Sequence, residues 1–195
     1  MTCGANSTRA HSAYLESAAK RALDLAVSIA LLPLAATLML AVGSAVLIFD
    51  GRPVLLMQSR AGRGGRIFRM PKFRTLRKNG PGSDPEPTRL GRFLRRHRLD
   101  ELPQIFSVLS GAMSLVGPRP ELPEVVAAHP EKHSARLSVK PGATGLWQIR
   151  GDRRKMIHQE VGYDLLYLKN ACLSLDLRLL FLTGLFMARP GAFRR

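Results

Sequence analysis

The uncharged stretch LAVSIALLPLAATLMLAVGSAVLIF, residues 25–49, decides the fold class of this chain. As a straight helix, these 25 residues would extend about 38 Å, which exceeds the roughly 30 Å of a bilayer core. A soluble helix that is apolar on every face needs more protein around it than a chain of 195 residues provides. A cleaved signal peptide would have a shorter apolar region. The stretch therefore predicts a membrane-inserted helix.

The flanks of this stretch and its internal proline bear on how it sits in the membrane. Pro33 can bend the helix, because it removes one backbone hydrogen bond and crowds the preceding turn. Basic residues lie on both sides, namely Lys20, Arg21, Arg52, Arg60, Arg63 and Arg66. A simple span concentrates its basic flank on one side, so two basic flanks favour a bent hairpin that enters and leaves by the cytoplasmic face. The alternative is a plain spanning helix with an incidental proline.

Composition limits the classes of partner. The net charge of +16 indicates an anionic partner, which could be nucleic acid, anionic lipid or a phosphorylated substrate. Aromatic residues make up only 6% of the chain, which argues against base-stacking platforms. Cys3 and Cys172 are too few and too far apart for a disulfide framework or a zinc site, so both are expected to be reduced thiols.

The chain divides into three segments: a polar tail at 1–19, the membrane segment at 20–50 and a compact domain at 51–195. Periodicity and turn residues predict the elements of that domain. They are strands at 54–57 and 67–70, loops at 58–66, 79–88 and 139–148, a basic amphipathic helix at 90–99, a helical connector at 124–136, a helix at 156–168 and an apolar core or interfacial helix at 173–187.

Two adjacent carboxylates, Asp100 and Glu101, stand at the end of a strongly basic run. Residues 60–100 contain thirteen Lys or Arg against three acidic residues, a local net charge of +10. Asp100 is a candidate helix N-cap, with Pro103 in the first turn. A helix N-terminus favours a carboxylate and also attracts phosphate, so a nucleophilic or metal-binding carboxylate fits this position. The alternative is an ordinary N-cap aspartate followed by a first-turn glutamate.

Two further features of the domain concern phosphate and metal binding. Arg119 lies between Pro118 and Pro120, which restrict its backbone, so its guanidinium is a good fork for phosphate oxygens or else a surface arginine in a turn. His129 and His133 are four residues apart but no third metal ligand is evident, which favours surface histidines.

An ordered series of motifs resembles one family, the small monotopic polyprenyl-phosphate phosphoglycosyl transferases, which are bacterial sugar transferases. The resemblance covers about residue 20 to the C-terminus. Its motifs are Lys20-Arg21 with Asp24, Pro53-Val54 with Gln58, Lys72-Phe73-Arg74-Thr75, Leu94-Arg95, Leu99-Asp100-Glu101-Leu102-Pro103-Gln104, Met113-Ser114-Leu115-Val116-Gly117-Pro118-Arg119-Pro120-Glu121, Lys140-Pro141-Gly142-Ala143-Thr144-Gly145, Asp164 with Tyr167, and Asp176.

The resemblance implies a mostly helical α+β fold. This would be a monotopic membrane protein with a re-entrant N-terminal helix broken at Pro33, interfacial amphipathic helices and a compact cytosolic catalytic domain with short strands. The family usually breaks this helix at a Ser-Pro pair, where this chain has Leu32-Pro33. The family also usually has a basic residue at the position of Asp152.

The resemblance also implies a reaction at the cytoplasmic face of the bacterial inner membrane, the first membrane step of exopolysaccharide or glycoconjugate synthesis. A UDP-sugar donates sugar 1-phosphate to undecaprenyl phosphate through a covalent aspartyl-phosphosugar intermediate. Asp100 would be the nucleophile, and Glu101 would help to hold Mg²⁺ or manage protons. Lys72, Arg95 and Arg119 would bind phosphates. Anionic lipids and a homodimer are further expected partners, and nucleic acid is not.

Two other functions would explain part of the same sequence. A non-enzymatic, basic membrane-surface scaffold of a polysaccharide assembly complex would explain the charge and the apolar stretch. Nucleic-acid binding would explain the charge alone. The sequence does not specify which sugar is transferred.

Overall fold

The computed structural model describes residues 13–77, 84–151 and 160–189, and this part of the chain is mostly helical with three small two-stranded sheets. The predicted α+β, mostly helical class is thereby confirmed. The elements in chain order are α1 (Ala18–Phe49), β1 (Leu55–Ala61), β2 (Ile67–Phe73), β3 (Leu76–Arg77), β4 (Glu86–Pro87), α2 (Arg89–His97), a 3₁₀ helix (Leu99–Gln104), α3 (Ile105–Leu109), β5 (Ser114–Val116), α4 (Pro123–Ala128), α5 (Pro130–Leu137), β6 (Gly142–Thr144), α6 (Leu146–Arg150), α7 (Val161–Asn170) and α8 (Leu173–Ala188).

Helix α1 contains the whole apolar stretch. It begins at an N-cap, Ser17, whose hydroxyl oxygen accepts a hydrogen bond from the backbone N–H of Lys20 (3.1 Å). Among the described residues, α1 alone is long and apolar enough to cross a membrane, with a mean hydropathy of 2.4 over its most apolar window. Pro33 lies inside α1, and helical structure continues on both sides of it. The re-entrant path and the role of Pro33 as the hairpin break therefore stay predictions.

The two ends of α1 pack on the globular part of the chain, whereas its middle is exposed. Near the start, Asp24 is buried and accepts hydrogen bonds from Ser114 and from the backbone N–H of Leu115 (both 3.0 Å). Near the end, Val46 is fully buried in a cluster with Phe73. Between these anchors, large apolar side chains face outward, among them Ile29, Leu34 and Leu40. This exposed apolar middle is compatible with contact with lipid.

The first sheet is a hairpin, in which β1 and β2 pair antiparallel from Leu55 opposite Phe73 to Ala61 opposite Ile67. The prediction of a flexible loop at 58–66 is wrong for its first part, because residues 58–61 pair with β2. The short connection between the strands contains Gly64 and Gly65, both at positive φ. Such conformations suit glycine, so the Gly-rich motif closes the hairpin.

The other two sheets are short. β3 and β4 pair antiparallel, so the segment 79–88, which was predicted as a loop, contains the short strand β4. Residues 79–83 of this segment lie outside the described residues. β5 and β6 pair parallel, with Ser114 opposite Gly142. A Cβ on Gly142 would lie 2.1 Å from the backbone nitrogen of Gly117, so only glycine allows this close approach.

The predicted connector at 124–136 is two helices, α4 and α5. The break falls at His129-Pro130, because a proline that cannot continue one helix fits the first position of the next. The prediction that His133 is a surface residue is wrong: it is 1% exposed, because α5 packs against α7. His129, by contrast, keeps a partly exposed side chain.

Toward the C-terminus the helix bounds differ from the predicted ones. The 139–148 segment, predicted as a loop running into a short strand, contains β6 and then the start of α6. The helix predicted at 156–168 is seen as α7, and residues 152–159, including Asp152, lie outside the described residues. The apolar run predicted at 173–187 is α8. Cys172 is disulfide-bonded, so the expectation of a reduced thiol there is wrong, and Cys3 lies outside the described residues.

Candidate functional site

The segment that carries the two carboxylates follows a sharp change of backbone direction. Helix α2 ends at His97, and Arg98 adopts the left-handed conformation with φ 56°. The next residues form the 3₁₀ helix that contains Asp100 and Glu101 in its first turn. Asp100 is therefore not the N-cap that the sequence predicted. Arg98 occupies that position because its left-handed backbone links the two helices.

Helix α2 is held in place by a cap and by a close backbone contact. The hydroxyl oxygen of Thr88 accepts a hydrogen bond from the backbone N–H of Gly91 (2.8 Å), which satisfies one free donor of the first turn. A Cβ on Gly91 would lie 2.1 Å from the carbonyl oxygen of Thr75, so a side chain there would push the helix away from the end of β2. This contact fixes the position of the arginines on α2 relative to Lys72 on β2.

All five predicted substrate and catalytic residues line one pocket of about 650 Å³. That volume lies within the range of about 300–1,000 Å³ that is usual for small-molecule sites. The sequence predicted no catalytic or substrate-binding role for the other lining residues, although Arg92, Arg96 and Arg98 belong to the predicted basic helix. The complete lining consists of Lys72, Pro87, Arg92, Arg95, Arg96, Arg98, Asp100, Glu101, Arg119 and Trp147. Pro33, which was predicted as the break of the membrane hairpin, lies in α1 and does not line the pocket.

Glu101 is held between two cations. Its Oε1 accepts a hydrogen bond from Lys72 Nζ at 2.8 Å and another from Arg119 Nη2 at 3.1 Å. Burial by itself would raise the pKa of Glu101, but the charges of Arg119 and Lys72 outweigh it and hold that pKa well below its usual range. Glu101 is therefore ionised at neutral pH, and it fixes the positions of both basic side chains.

Asp100 lies in a different environment although it is the next residue. It is 8% exposed, and burial together with the charge of Glu101 raises its pKa, while Lys72 and Arg95 act in the opposite direction. Neighbouring carboxylates whose pKa values are pushed apart are typical of sites where the two groups have different tasks. The pair thus offers one permanently charged carboxylate and one more basic carboxylate.

Two residues at the pocket were missed by sequence reasoning. Arg98 is buried, donates a hydrogen bond to the backbone oxygen of Gln148 and stacks its guanidinium 4.6 Å from the ring centroid of Phe186. Trp147 places its ring 5.4 Å from the guanidinium carbon of Arg119. Trp147 is the only tryptophan of the chain, which could have drawn attention to it, but its partner lies 28 positions away in sequence and no local pattern connects them.

The two carboxylates of the pocket can be compared with the ligand sets that metal ions prefer. No cluster of three or more His, Cys, Asp or Glu that could hold a metal occurs within residues 13–77, 84–151 and 160–189. Mg²⁺, however, is usually bound by one or two carboxylates together with substrate phosphates. Asp100 and Glu101 fit that pattern, and both basic contacts of Glu101 use Oε1, which leaves Oε2 as the oxygen for a metal.

Comparisons with known proteins agree on one family. Residues 15–189 match the family described as bacterial sugar transferase. The chain is 39% identical over 184 residues to an undecaprenyl-phosphate glucose phosphotransferase of Komagataeibacter xylinus, across 84% of this chain and 35% of that protein. It is 35% identical over 198 residues to an undecaprenyl-phosphate galactose phosphotransferase of Salmonella typhimurium, across 89% of this chain and 41% of that protein.

A shorter relative is covered more fully. The UDP-glucose:undecaprenyl-phosphate glucose-1-phosphate transferase of Caulobacter vibrioides is 37% identical over 180 residues, across 84% of this chain and 67% of that protein. The chain thus spans less than half the length of the first two relatives and two thirds of the third.

Proposed function

The chain belongs to the bacterial sugar transferase family, and from this premise we propose that it is a polyprenyl-phosphate phosphoglycosyl transferase. It moves sugar 1-phosphate from a UDP-sugar to undecaprenyl phosphate. The relatives' names support this acceptor, and one of them includes a UDP-sugar donor. The reaction would be the first membrane step in building an exopolysaccharide or glycoconjugate.

The observation that carries the proposal is the pair of unlike carboxylates in a strongly basic pocket. A carboxylate that approaches a diphosphate is repelled unless positive charge screens the phosphate oxygens. Lys72, Arg95 and Arg119 line the same pocket as Asp100. Phosphoryl transfer depends mainly on such charge neutralisation and on positioning, so this arrangement suits it.

In the first step, a carboxylate oxygen of Asp100 attacks the phosphorus that bears the sugar. The bond from this phosphorus to the oxygen that bridges to the nucleotide breaks, and UMP leaves with that bonding electron pair. The product is an acyl phosphate that joins Asp100 to the sugar phosphate. Burial raises the pKa of Asp100, which makes its ionised form a better nucleophile than an exposed aspartate.

In the second step, an oxygen of undecaprenyl phosphate attacks the same phosphorus. The acyl phosphate bond breaks, the Asp100 carboxylate is released, and the lipid carries the sugar through a new diphosphate. Glu101 takes part by keeping Lys72 and Arg119 in place through both steps. The exposed arginines of α2 that line the pocket, Arg92, Arg95 and Arg96, supply charge for the phosphates of both substrates.

Mg²⁺ belongs to the proposal as a cofactor. Asp100 and Glu101 are the residues that would hold it, together with phosphate oxygens of the donor. A bound Mg²⁺ would supply further neutralisation of charge on the diphosphate.

The proposed acceptor requires a pocket at the level of the lipid head groups. The long apolar helix α1 would anchor the domain to the cytoplasmic face of the bacterial inner membrane, with anionic lipids attracted by the net charge of +16. A re-entrant α1 would bring both of its basic flanks to that face. A homodimer is compatible with this arrangement and is not required by it.

The proposal is tested by measuring UMP release from a panel of UDP-sugars with undecaprenyl phosphate and Mg²⁺, including UDP-glucose and UDP-galactose. Asp100→Asn should lower the rate roughly 10³-fold or more, as loss of a covalent nucleophile does in other enzymes. Asp84→Asn is the matched control, because Asp84 is exposed and does not line the pocket. Mass spectrometry of enzyme quenched during turnover should find the sugar phosphate on Asp100.

The alternative is a non-enzymatic membrane scaffold. Absence of UMP release with every donor, or full activity of Asp100→Asn, would contradict the transferase. Asp100→Asn that loses transfer but still partitions into membranes would contradict the scaffold as the sole function.

A further inference from the structure

Behind the pocket, a buried ion pair joins Arg136 on α5 to Asp164 on α7. The Nε–Oδ2 distance is 2.8 Å, and the two side chains are 3% and 1% exposed. Taking two charges out of water costs several kcal/mol per ion, so a buried pair of this kind is weak evidence for a purely stabilising role. Neither residue lines the 650 Å³ pocket, so the pair has no direct contact with a molecule bound there.

The remaining nitrogens of the Arg136 guanidinium contact two further groups. Nη1 donates to Nδ1 of the buried His133 at 2.6 Å, and Nη2 donates to the backbone carbonyl oxygen of Arg119 at 2.6 Å. A guanidinium presents its donors in a rigid, planar fork. With Asp164 and His133 fixing its orientation, the fork holds the carbonyl of Arg119 in one place.

Asp164 acts on Arg119 through the Arg136 guanidinium. Burial raises the pKa of Asp164 to about 6, whereas the charge of Arg136 and its hydrogen bond act against that rise. The ion pair therefore fixes the guanidinium that donates to the backbone carbonyl oxygen of Arg119.

Arg119 is flanked by Pro118 and Pro120, which have no N–H to donate, so carbonyl oxygens are the main groups through which this segment can be fixed. That of Pro118 accepts a hydrogen bond from the backbone N–H of Gly142 at 2.8 Å, and that of Arg119 accepts the one from Arg136.

The side chain of Arg119 extends from this held backbone into the pocket. Its guanidinium reaches Oε1 of Glu101 at 3.1 Å and lies over the ring of Trp147. A long side chain with a fixed base and fixed neighbours has little rotamer freedom left to lose when a phosphate binds. Preorganisation of this kind favours substrate binding without any direct contact between Arg136 and the substrate.

We propose that Arg136 and Asp164 are positioning residues, which grip the backbone of Arg119 so that its guanidinium is placed to receive the diphosphate of the nucleotide sugar. This role rests on the proposed transferase function for its substrate. The grip itself is a property of the folded chain, and it can be measured without turnover.

The first measurement uses Arg136→Lys, which keeps the charge but replaces the fork with a single ammonium that cannot hold Asp164, His133 and the Arg119 carbonyl together. We expect KM for the UDP-sugar to rise about tenfold, with a smaller effect on kcat. The reason is that the variant loses the hydrogen bond from the charged Arg136 guanidinium to the backbone oxygen of Arg119, the residue that we propose binds the diphosphate. In an Arg119→Ala background, Arg136→Lys should have no further effect on KM.

Asp176→Asn is the matched control for this cycle. Asp176 is also a buried, paired aspartate, but its partners are Lys20, Tyr14 and Tyr167, and it makes no direct contact with Arg119 or Arg136. Its effects should add to those of Arg119→Ala, as expected for independent sites. Additive effects of Arg136→Lys and Arg119→Ala would overturn the positioning role.

The second measurement is the fluorescence of Trp147, the sole tryptophan, which reports the position of the Arg119 guanidinium over its ring. Arg136→Lys should shift the emission in the same direction as Arg119→Ala, and Asp176→Asn should not. Emission of Arg136→Lys identical to that of the wild type would overturn the inference. If Arg136→Lys does not fold, Asp164→Asn, which keeps the shape of the side chain, is used with the same two criteria.

Failure of this inference is distinguishable from failure of the proposed function. A wild-type protein that releases no UMP contradicts the transferase, and the fluorescence comparison still decides whether Arg136 places Arg119. A wild-type protein with full turnover and a wild-type emission spectrum in Arg136→Lys contradicts only the positioning role.

Discussion

At the scale of single residues, the reactivity of Asp100 depends on opposing effects. Burial and the neighbouring Glu101 raise its pKa, and the positive charges of Lys72 and Arg95 lower it. A higher pKa makes a carboxylate more nucleophilic, but it also makes the ionised form scarcer at low pH. Lys72 and Arg95 therefore have a second effect beyond the phosphate binding that we propose for them, because they favour the ionised form of the buried Asp100 carboxylate.

Removal of the Arg95 charge should make activity more sensitive to acid. In Arg95→Gln one of the influences that lower the pKa of Asp100 is absent, so that pKa rises and protonation sets in at a higher pH. The acid limb of the kcat/KM profile should move to higher pH. Arg92→Gln is the control, because Arg92 lines the same pocket but is not among the groups that shift Asp100. An acid limb that stays in place or moves to lower pH in Arg95→Gln would contradict this account.

At the scale of elements, the site depends on how closely helix α2 approaches the end of strand β2. Gly91 makes that approach possible, because its missing side chain leaves room for the carbonyl of Thr75. The arginines on the helix and Lys72 on the strand thereby share one pocket. The small size of Gly91 is thus a packing requirement on which the shape of the basic pocket depends.

Gly91→Ala should destabilise the protein by about 1–3 kcal/mol, because overpacking forces the helix to shift. The reaction rate should fall as well, since α2 carries Arg95. Gly184→Ala in α8 is the control, because a Cβ there meets nothing within 4 Å. That control should stabilise the protein by about 0.5–1 kcal/mol through helix propensity. Thermal unfolding in detergent measures both, and equal shifts for the two variants would contradict the packing argument.

At the scale of the whole molecule, the first and last described helices are joined through one buried carboxylate. Asp176 Oδ2 accepts hydrogen bonds from Lys20 Nζ at 2.6 Å and Tyr14 at 2.8 Å, and its Oδ1 accepts one from Tyr167 at 2.8 Å. Asp24 lies 3.4 Å from the same lysine nitrogen. The network fixes the start of α1, where the chain leaves the globular part for its apolar segment.

Lys20→Met should destabilise the protein by about 3–5 kcal/mol, because removal of one partner leaves buried carboxylates without their cation. Glu16→Gln is the control, since the ion pair of Glu16 with Arg63 is half exposed and such pairs contribute about 0–1 kcal/mol. The loss should be seen in the melting temperature of the purified protein. A Lys20→Met protein as stable as the Glu16→Gln protein would refute the importance of this network.

The features that local patterns predicted correctly are those that neighbouring residues determine. The basic helix before Asp100 and the apolar α8 follow from periodicity within a single segment. The position of Asp100 before an apolar run predicted it as an N-cap. This prediction is wrong because Arg98 takes the N-cap position in a left-handed conformation, which has no signature in composition.

Features that depend on distant segments were not predicted. The burial of His133 follows from the packing of α5 on α7, and the pairing of Arg136 with Asp164 joins residues 28 positions apart. Nothing in the sequence near either residue indicates that partner. The contacts that hold the backbone of Arg119 could therefore be recognised only in the folded structure, where the segments that contain Arg119, Arg136 and Asp164 lie together.

The bond between Lys20 and Asp176 also has a consequence for the order of synthesis. The two residues are 156 positions apart, so the ribosome must translate nearly the whole chain before the lysine meets this carboxylate. During that time the N-terminal helix has been made but lacks this contact. A nascent polypeptide arrested before α8 would leave Tyr14 and Lys20 without this acceptor, so the start of α1 would lack this anchor until α8 is made.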